Sequence, residues 1–391
     1  MKILFVTNVN PFTASFGAEQ RSYVFLKSFM QNGCEVDVAY VGETKEAKPK
    51  CPLGVNIVFW NDGHHWQFSS LKSYLRIATF KMYPSSYELE SIIDKLIDRN
   101  HYEYIACRYI PTAAFAGLFK YAERLLLDID DMPEPAMAAQ LKSDTWYRKV
   151  YHKFMLRSIR HETNRWISKV KACFLPDKMQ ADLNHCLFLP NIPVYHSDDV
   201  FINKNCKNIL FIGLMSFRPN FEGMDHFITN CWNQILQAVP NASLYIAGKG
   251  LSEELKQKWM SYKNIHPLGF IDSVTEFYSQ GNIVIVPVYS GAGTNIKVIE
   301  ALAFGKATVI TPFSTKGYDA ILENGKNTYI ANTDEEYIGM VLKLLNNDDL
   351  TWEIAKEGYA KAVQFYSQES INRIVEKIIY ATCRFYKSSC K

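Results

Sequence analysis

The sequence predicts an α/β protein with two doubly wound, Rossmann-like parallel-sheet domains, and three observations carry that expectation. Short apolar runs of the buried-strand type alternate with helical stretches in both halves of the chain, as a parallel sheet covered on both faces requires. A polar segment with two prolines, residues 189–208, lies between the halves and has a linker composition. The length, 391 residues, also exceeds what one core usually serves, at ~100 to 200 residues per domain.

The elements follow in order. Residues 3–6 form the first strand-like run, a loop with Pro11 follows, and Gly17 leads into a helical stretch whose apolar side is Tyr23, Val24, Leu26, Phe29 and Met30. Gly33 ends that helix and 36–41 is the next strand, which completes a βαβ unit. Further strands are expected at 55–59, 104–107, 125–129 and 172–175, and in the second half at 209–212, 243–247, 283–287, 307–310 and 328–331. After Asn346 the pattern is continuously helical, and the aromatic residues of this tail, among them Tyr359, Tyr366 and Tyr380, call for a protein surface to dock on. The domains are expected at 1–195 and 206–366, with a terminal helix, 367–391, returning to the first. Loops at the carboxyl ends of two such sheets place the ligand site in a cleft between the domains.

Composition narrows the function classes. The chain is 48% hydrophobic and 14% aromatic, which excludes a mainly disordered state. Forty-three Lys and Arg against 40 Asp and Glu leave a net charge of +3, too little to imply a nucleic-acid partner. Nine scattered cysteines form no CxxC pair, which argues for a reducing compartment and against a disulfide framework or structural zinc. The apolar run at 3–6 is too short for a signal peptide, and no window approaches a membrane span. The expected location is the cytoplasm, with access to the inner face of the membrane.

The segment VIVPVYSGAGTNIKVIEALAFGKATVIT, 284–311, is the most informative. A strand ends at Pro287, a loop of small residues follows (Ser290, Gly291, Ala292, Gly293, Thr294), and a helix begins near Asn295. Unpaired amides and the macrodipole at such a helix start favour phosphate. Lys297 in the first turn adds a full positive charge. Glu300, roughly one turn on, suits the paired hydroxyls of a ribose. The same residues are also compatible with an ordinary helix start in which the glycines only make the turn.

This segment resembles the nucleotide-sugar loop of GT-B glycosyltransferases, especially the retaining family 4 type (glycosyl transferases group 1). The likeness extends along nearly the whole chain. The glycine loop ending at Gly17, Leu189-Pro190-Asn191, the run 211–214 with Arg218, Pro219 and Asn220, YIAGKG at 245–250 and PLGFID at 267–272 occur in the family's order. The resemblance implies a GT-B fold, a nucleoside-diphosphate sugar as donor, a saccharide or lipid-linked saccharide as acceptor, and no metal or further cofactor. It implies donor contacts at Gly17, Gly213, Gly248, Phe270, Gly291, Gly293, Thr294, Asn295, Lys297 and Glu300. Catalytic roles fall to Lys297, Arg218 and Asp130, with no side-chain nucleophile, because the leaving phosphate takes the acceptor proton. Two positions depart from the pattern. Ala292 stands where the family's first glutamate is usual, and Leu214 and Met215 stand where a diphosphate-binding arginine is usual, so Arg218 and Lys297 take that part. An epimerase, or a catalytically silent glycan- or partner-binding protein, would share the same nucleotide loop.

In the first half, Asp128, Asp130 and Asp131 follow the apolar run 125–127 and so sit at a strand's carboxyl end. They read as acceptor ligands or as a turn and helix cap; a DxD-like pair also suits Mg²⁺. Glu19 and Arg21, just after Gly17, read as the acceptor-side lip or as solvated helix residues. His64, His65 and Trp66 read as a sugar-stacking loop or a plain surface loop. Residues 145–171 carry eight Lys and Arg against one acid, with Trp146, Tyr147, Tyr151, Phe154 and Trp166 interleaved. Such a helix either lies on an anionic membrane or packs its aromatics on the sheet.

Overall fold

The computed structural model describes residues 1–14, 16–44, 47–49, 54–65, 83–134, 137, 145–291 and 293–388, with side chains through 380. The chain divides into two units, 1–190 with 371–391, and 191–370.

The first unit holds β1 (Lys2–Thr7), β2 (Glu35–Tyr40), β3 (Asn56–Trp60), β4 (Tyr104–Arg108), β5 (Leu125–Asp128), β6 (Ala172–Leu175) and β7 (Leu187–Phe188). All pair in parallel in the order β3-β2-β1-β4-β5-β6-β7. Near-continuous burial along β1, β4 and β5 is what helices on both faces produce. Its helices are α1 (Gly17–Gln31), α2 (Tyr87–Asn100), α3 (Ile110–Phe115), α4 (Trp146–Ile167) and α5 (Lys178–Leu183). Helix α2 shows the local logic: the Ser86 side chain accepts from the Leu89 amide, Leu89, Ile93 and Ile97 form one buried stripe, and His101 closes the helix in the left-handed region.

The second unit holds β8 (Asn208–Ile212), β9 (Ser243–Ala247), β10 (Ile265–Gly269), β11 (Ile283–Val286), β12 (Ala307–Ile310) and β13 (Tyr329–Ile330). Their order, β10-β9-β8-β11-β12-β13, is again parallel throughout. The helices are α6 (Arg218–Phe227), α7 (Asn233–Ala238), α8 (Glu253–Met260), α9 (Val274–Ser279), α10 (Ile296–Ala303), α11 (Asp334–Leu345) and α12 (Asp348–Phe365). Trp232, Trp259, Phe211 and Phe227 are among its core residues.

Both sheets reverse direction of growth after their third strand, between β1 and β4 and between β8 and β11. Strands β7 and β10 are additions to the predicted set. β7 is two residues long, and β10 reads Ile-His-Pro-Leu-Gly, whose proline is tolerated because the strand lies at the sheet edge. The last helix, α13 (Gln368–Ser388), buries Ile371, Val375 and Ile379. It meets the end of α1, where the Asn372 side chain donates to Gln31 Oε1 at 2.8 Å and the Tyr380 hydroxyl donates to the Asn32 carbonyl at 2.7 Å.

Candidate functional site

In a doubly wound sheet, ligands bind beyond the carboxyl ends of the strands where the order reverses. In the second unit that point lies past β8 and β11, and Gly213 and the 287–295 loop occupy it. Gly213, Gly248 and Gly269 stand side by side at the ends of β8, β9 and β10. The Gly213 amide donates to Ala247 O (3.0 Å), and the Gly248 amide donates to Gly269 O (2.7 Å). A Cβ on Gly248 would fall 1.7 Å from Gly213 O, so no other residue fits there without moving backbone. Gly291 and Gly293 hold positive φ, at 134° and 76°, as the tight loop between β11 and α10 demands.

Two helix N-termini converge on this point. Helix α6 begins at Arg218 and α10 at Ile296. Asn220, buried in the first turn of α6, joins them: its Oδ1 accepts from Lys297 Nζ (3.1 Å), and its Nδ2 donates to Leu214 O (2.8 Å). Asn295 Oδ1 also accepts from Lys297 Nζ (3.2 Å). Lys297 reaches across Gly213, where a Cβ would lie 3.1 Å from its Cε. Burial pushes the ammonium down to about 8, against the opposing pull of Glu300. Thr294 Oγ1 accepts from Asn191 Nδ2 at 2.8 Å, which ties the loop to the segment preceding β8.

Glu300 is buried in α10, and its Oε1 accepts the Tyr278 hydroxyl of α9 at 3.0 Å. Helix α10 is fixed from behind by α12: a Cβ on Gly358 would lie 2.6 Å from Leu302 Cδ2. The end of β11 is fixed by Tyr337 of α11. Its hydroxyl accepts from the Val286 amide (3.1 Å) and donates to Val309 O (2.6 Å). The remaining expected donor residues are more open. The Arg218 side chain is 64% exposed and its Nε donates to Glu222 Oε1 at 2.7 Å, and Phe270 is exposed beyond β10. Ala292 lies outside the described residues.

At the corresponding point of the first unit the strand ends carry charge. Arg21 Nε and Nη2 donate to Asp128 at 2.9 and 2.6 Å, and Arg108 Nη1 donates to the same carboxylate. All three side chains are at most 2% exposed. Arg21 and Asp128, both among the expected acceptor contacts, are buried against each other, because a carboxylate at the end of a core strand is held in the interior only by guanidinium partners. Arg108 Nη2 also donates to Asp130 Oδ2 (3.0 Å) and the Tyr109 hydroxyl (3.0 Å), and that hydroxyl donates to Asp130 Oδ2 (3.1 Å). Burial acts to raise the Asp130 carboxyl, but Arg108 and Arg21 outweigh it and hold it below the usual carboxylate range. Tyr109 and Asp130 both adopt positive φ, at 68° and 65°. Gly17 opens α1, and Glu19 lies part-buried in its first turn. The Asp131 amide donates to Ile129 O at 2.9 Å.

Sequence reasoning left out Asn220, Asn191 and Tyr278 as site residues, and Arg108 and Tyr109 altogether. An asparagine that follows a proline at a helix start gives no sign that it will meet a lysine 77 positions later. Of the other expectations, Trp66 lies outside the described residues, while His64 and His65 face Glu88 and Glu43 at 3.2 and 3.0 Å. Among the described residues no group of three or more His, Cys, Asp or Glu is placed to hold a metal ion, and no helix is long and apolar enough to cross a membrane.

Residues 206–347 match the family model described as glycosyl transferases group 1. No curated protein matches the chain in sequence. Among solved structures, a variant of S. aureus TarM in complex with fondaparinux, alpha-GlcNAc-glycerol and UDP is 11% identical, with TM-score 0.67 over 97% of this chain and 99% of that one. Sucrose-phosphate synthase from Thermosynechococcus elongatus is 11% identical, with TM-score 0.68 over 98% and 100%. HepE of Anabaena in complex with UDP-glucose is 12% identical, with TM-score 0.61 over 97% and 100%. Residues 206–347 therefore carry the glycosyl transferases group 1 domain, and the chain has the two-sheet fold of GT-B glycosyltransferases.

Proposed function

We propose that this protein transfers a glycosyl group from a nucleoside-diphosphate sugar to a saccharide or lipid-linked saccharide, with retention of configuration, in the synthesis of a polysaccharide or glycoconjugate at the cytoplasmic side of a membrane. The observation that carries the reading is Lys297: a largely desolvated ammonium set between two helix N-termini at the strand switch point, one helical turn from a buried carboxylate.

The chemistry fits those groups. As the sugar leaves, negative charge grows on the diphosphate, and fixed donors placed where that charge develops lower the barrier. Lys297 and the loop amides of Gly293, Thr294 and Asn295 supply them, and Arg218 adds charge by turning from Glu222. Gly213, Gly248 and Gly291 let the strand ends and the loop pack closely where the donor lies, and Phe270 offers a face to the base. Glu300, oriented by Tyr278, accepts from the ribose hydroxyls. In the retaining reaction a diphosphate oxygen takes the proton of the attacking acceptor hydroxyl on the same face, so no side-chain nucleophile is assigned. Asp130 positions the acceptor hydroxyl, with Glu19 and Asp131 as acceptor contacts of the first unit. Contact with an anionic membrane is assigned to 145–171.

Calorimetry with UDP, GDP and dTDP, followed by donor hydrolysis across a panel of sugar nucleotides, tests the reading. Uridine nucleotides come first, since TarM and HepE hold them. Failure to bind any of the three diphosphates would refute it.

A further inference from the structure

We propose that a groove along α4 holds the phosphate of an anionic phospholipid headgroup, with the aromatic first turns of the helix resting in the bilayer surface. This names the occupant of the membrane contact assigned above, and it stands on first-unit residues that take no part in nucleotide binding.

The groove is a cavity of about 580 Å³ lined by Lys153, Arg157, Arg160, His161 and Asn164 of α4 and by Glu134. Spacings of three and four place the helical residues on one face. The opposite face buries Ser158, Ile159, Glu162 and Thr163, so the helix is seated by its other side and offers this one outward. Glu134 neutralises only Arg160, through a two-point pairing that includes Arg160 Nε to Glu134 Oε2 at 2.6 Å. Among the described residues, no carboxylate lies within ion-pair distance of Lys153 or Arg157. The groove therefore keeps two positive charges after its one acid is accounted for, which suits a phosphate ester.

What surrounds the groove selects the source of that phosphate. Just before it on the same helix, Trp146 (77% exposed), Tyr147, Val150 (59%) and Tyr151 are presented to solvent, with Arg148 and Lys149 among them. A soluble phosphate would gain nothing from exposed aromatic and branched side chains. A bilayer surface takes both parts, because aromatic rings settle at the headgroup level while Lys and Arg meet anionic lipid. Nucleic acid would call for basic surface beyond this helix, and the chain's net charge is only +3.

Flotation of the full chain with phosphatidylcholine vesicles, with and without phosphatidylglycerol, tests the proposal. Binding is expected only with phosphatidylglycerol, and it should weaken as salt rises. Each basic residue at an anionic surface is worth about a factor of five, so Lys153→Ala with Arg157→Ala should lower the partition coefficient roughly twentyfold or more. Trp146→Ser with Tyr147→Ser should weaken binding while leaving its salt dependence in place. An unchanged thermal midpoint shows that each variant is folded. Equal binding to neutral vesicles, or full binding by the Lys153/Arg157 variant, overturns the proposal. So does saturable binding of inorganic phosphate to a chain that ignores both vesicle types, which would make the groove a free-phosphate site. UDP calorimetry on the same samples reports separately on the second unit, so loss of one reading is not mistaken for loss of the other.

Discussion

Lys297 Nζ donates to Asn220 Oδ1 at 3.1 Å, and this contact joins the first turns of α10 and α6 across the end of β8. It places a cation where the chain has Leu214 and Met215 instead of an arginine in the loop after β8. Asn220 also donates to Leu214 O, so one amide orients the ammonium and the loop together. Asn220→Ala should therefore weaken binding of a nucleoside diphosphate by about tenfold or more, the usual worth of a hydrogen bond to a charged group. Calorimetry with UDP measures it, and an unaltered affinity would remove Asn220 from the site.

Lys297 gives the activity a pH signature. Its ammonium is held down to about 8 by burial, so it is charged at neutral pH and loses charge as pH rises through that value. The kcat/KM for donor consumption, which reports the free enzyme, should be level below pH 8 and fall toward tenfold per unit above it. Lys297→Ala should lower turnover more than nucleotide affinity and remove the break. Stability moves the other way. The unfolded lysine keeps its ordinary value near 10.4, so between about 8 and 10 the unfolded chain binds the extra proton and this group's contribution to stability rises with pH. A profile in which rate and stability decline together above pH 8 would assign the break to another group.

The fold was legible because parallel strands buried on both faces appear as uninterrupted apolar runs. Ile3 to Val6, Leu125 to Leu127 and Ile283 to Val286 need no partner to be recognised. β10 was not, since His266, Pro267 and Gly269 break the run, and only an edge position tolerates them. The glycine loop before α10 was legible for a similar reason: Gly291, Gly293 and the helix start lie within a few residues of one another. The long-range pairings at the strand ends of each unit were not. Tyr278 reaches Glu300, Asn191 reaches Thr294, and Arg108 reaches Asp128 and Asp130 only after the sheets have formed, and nothing local in the chain records those meetings.

Gly248 separates steric necessity from chemistry. A methyl group there would lie 1.7 Å from Gly213 O, and its φ of 142° is unfavourable for any other residue. Gly248→Ala should destabilise the second unit by about 3 kcal/mol or more, from the clash and the backbone strain together. Urea unfolding measures the loss. A variant of unchanged stability would mean that the ends of β8 and β9 do not approach as closely as described.

Arg108 offers the sharpest test of the first unit's buried charges. Arg21 and Arg108 balance Asp128 and Asp130, and Asp128 is fully buried between the two guanidiniums. Arg108→Met keeps much of the volume but leaves an uncompensated buried carboxylate, which costs about 3 to 5 kcal/mol where it has been measured. The pH dependence identifies the cause. Arg108 and Arg21 hold the Asp130 carboxyl below its ordinary range, so in the native protein this group contributes stability at neutral pH, and the contribution disappears as pH falls through the depressed value. Without Arg108 the carboxyl rises and protonates more readily. The difference between native protein and variant should be largest near pH 7 and shrink as pH falls below about 4, where the unfolded carboxylates protonate as well. Paired urea titrations at the two pH values decide it: a difference that stays constant with pH would trace the loss to packing rather than to charge.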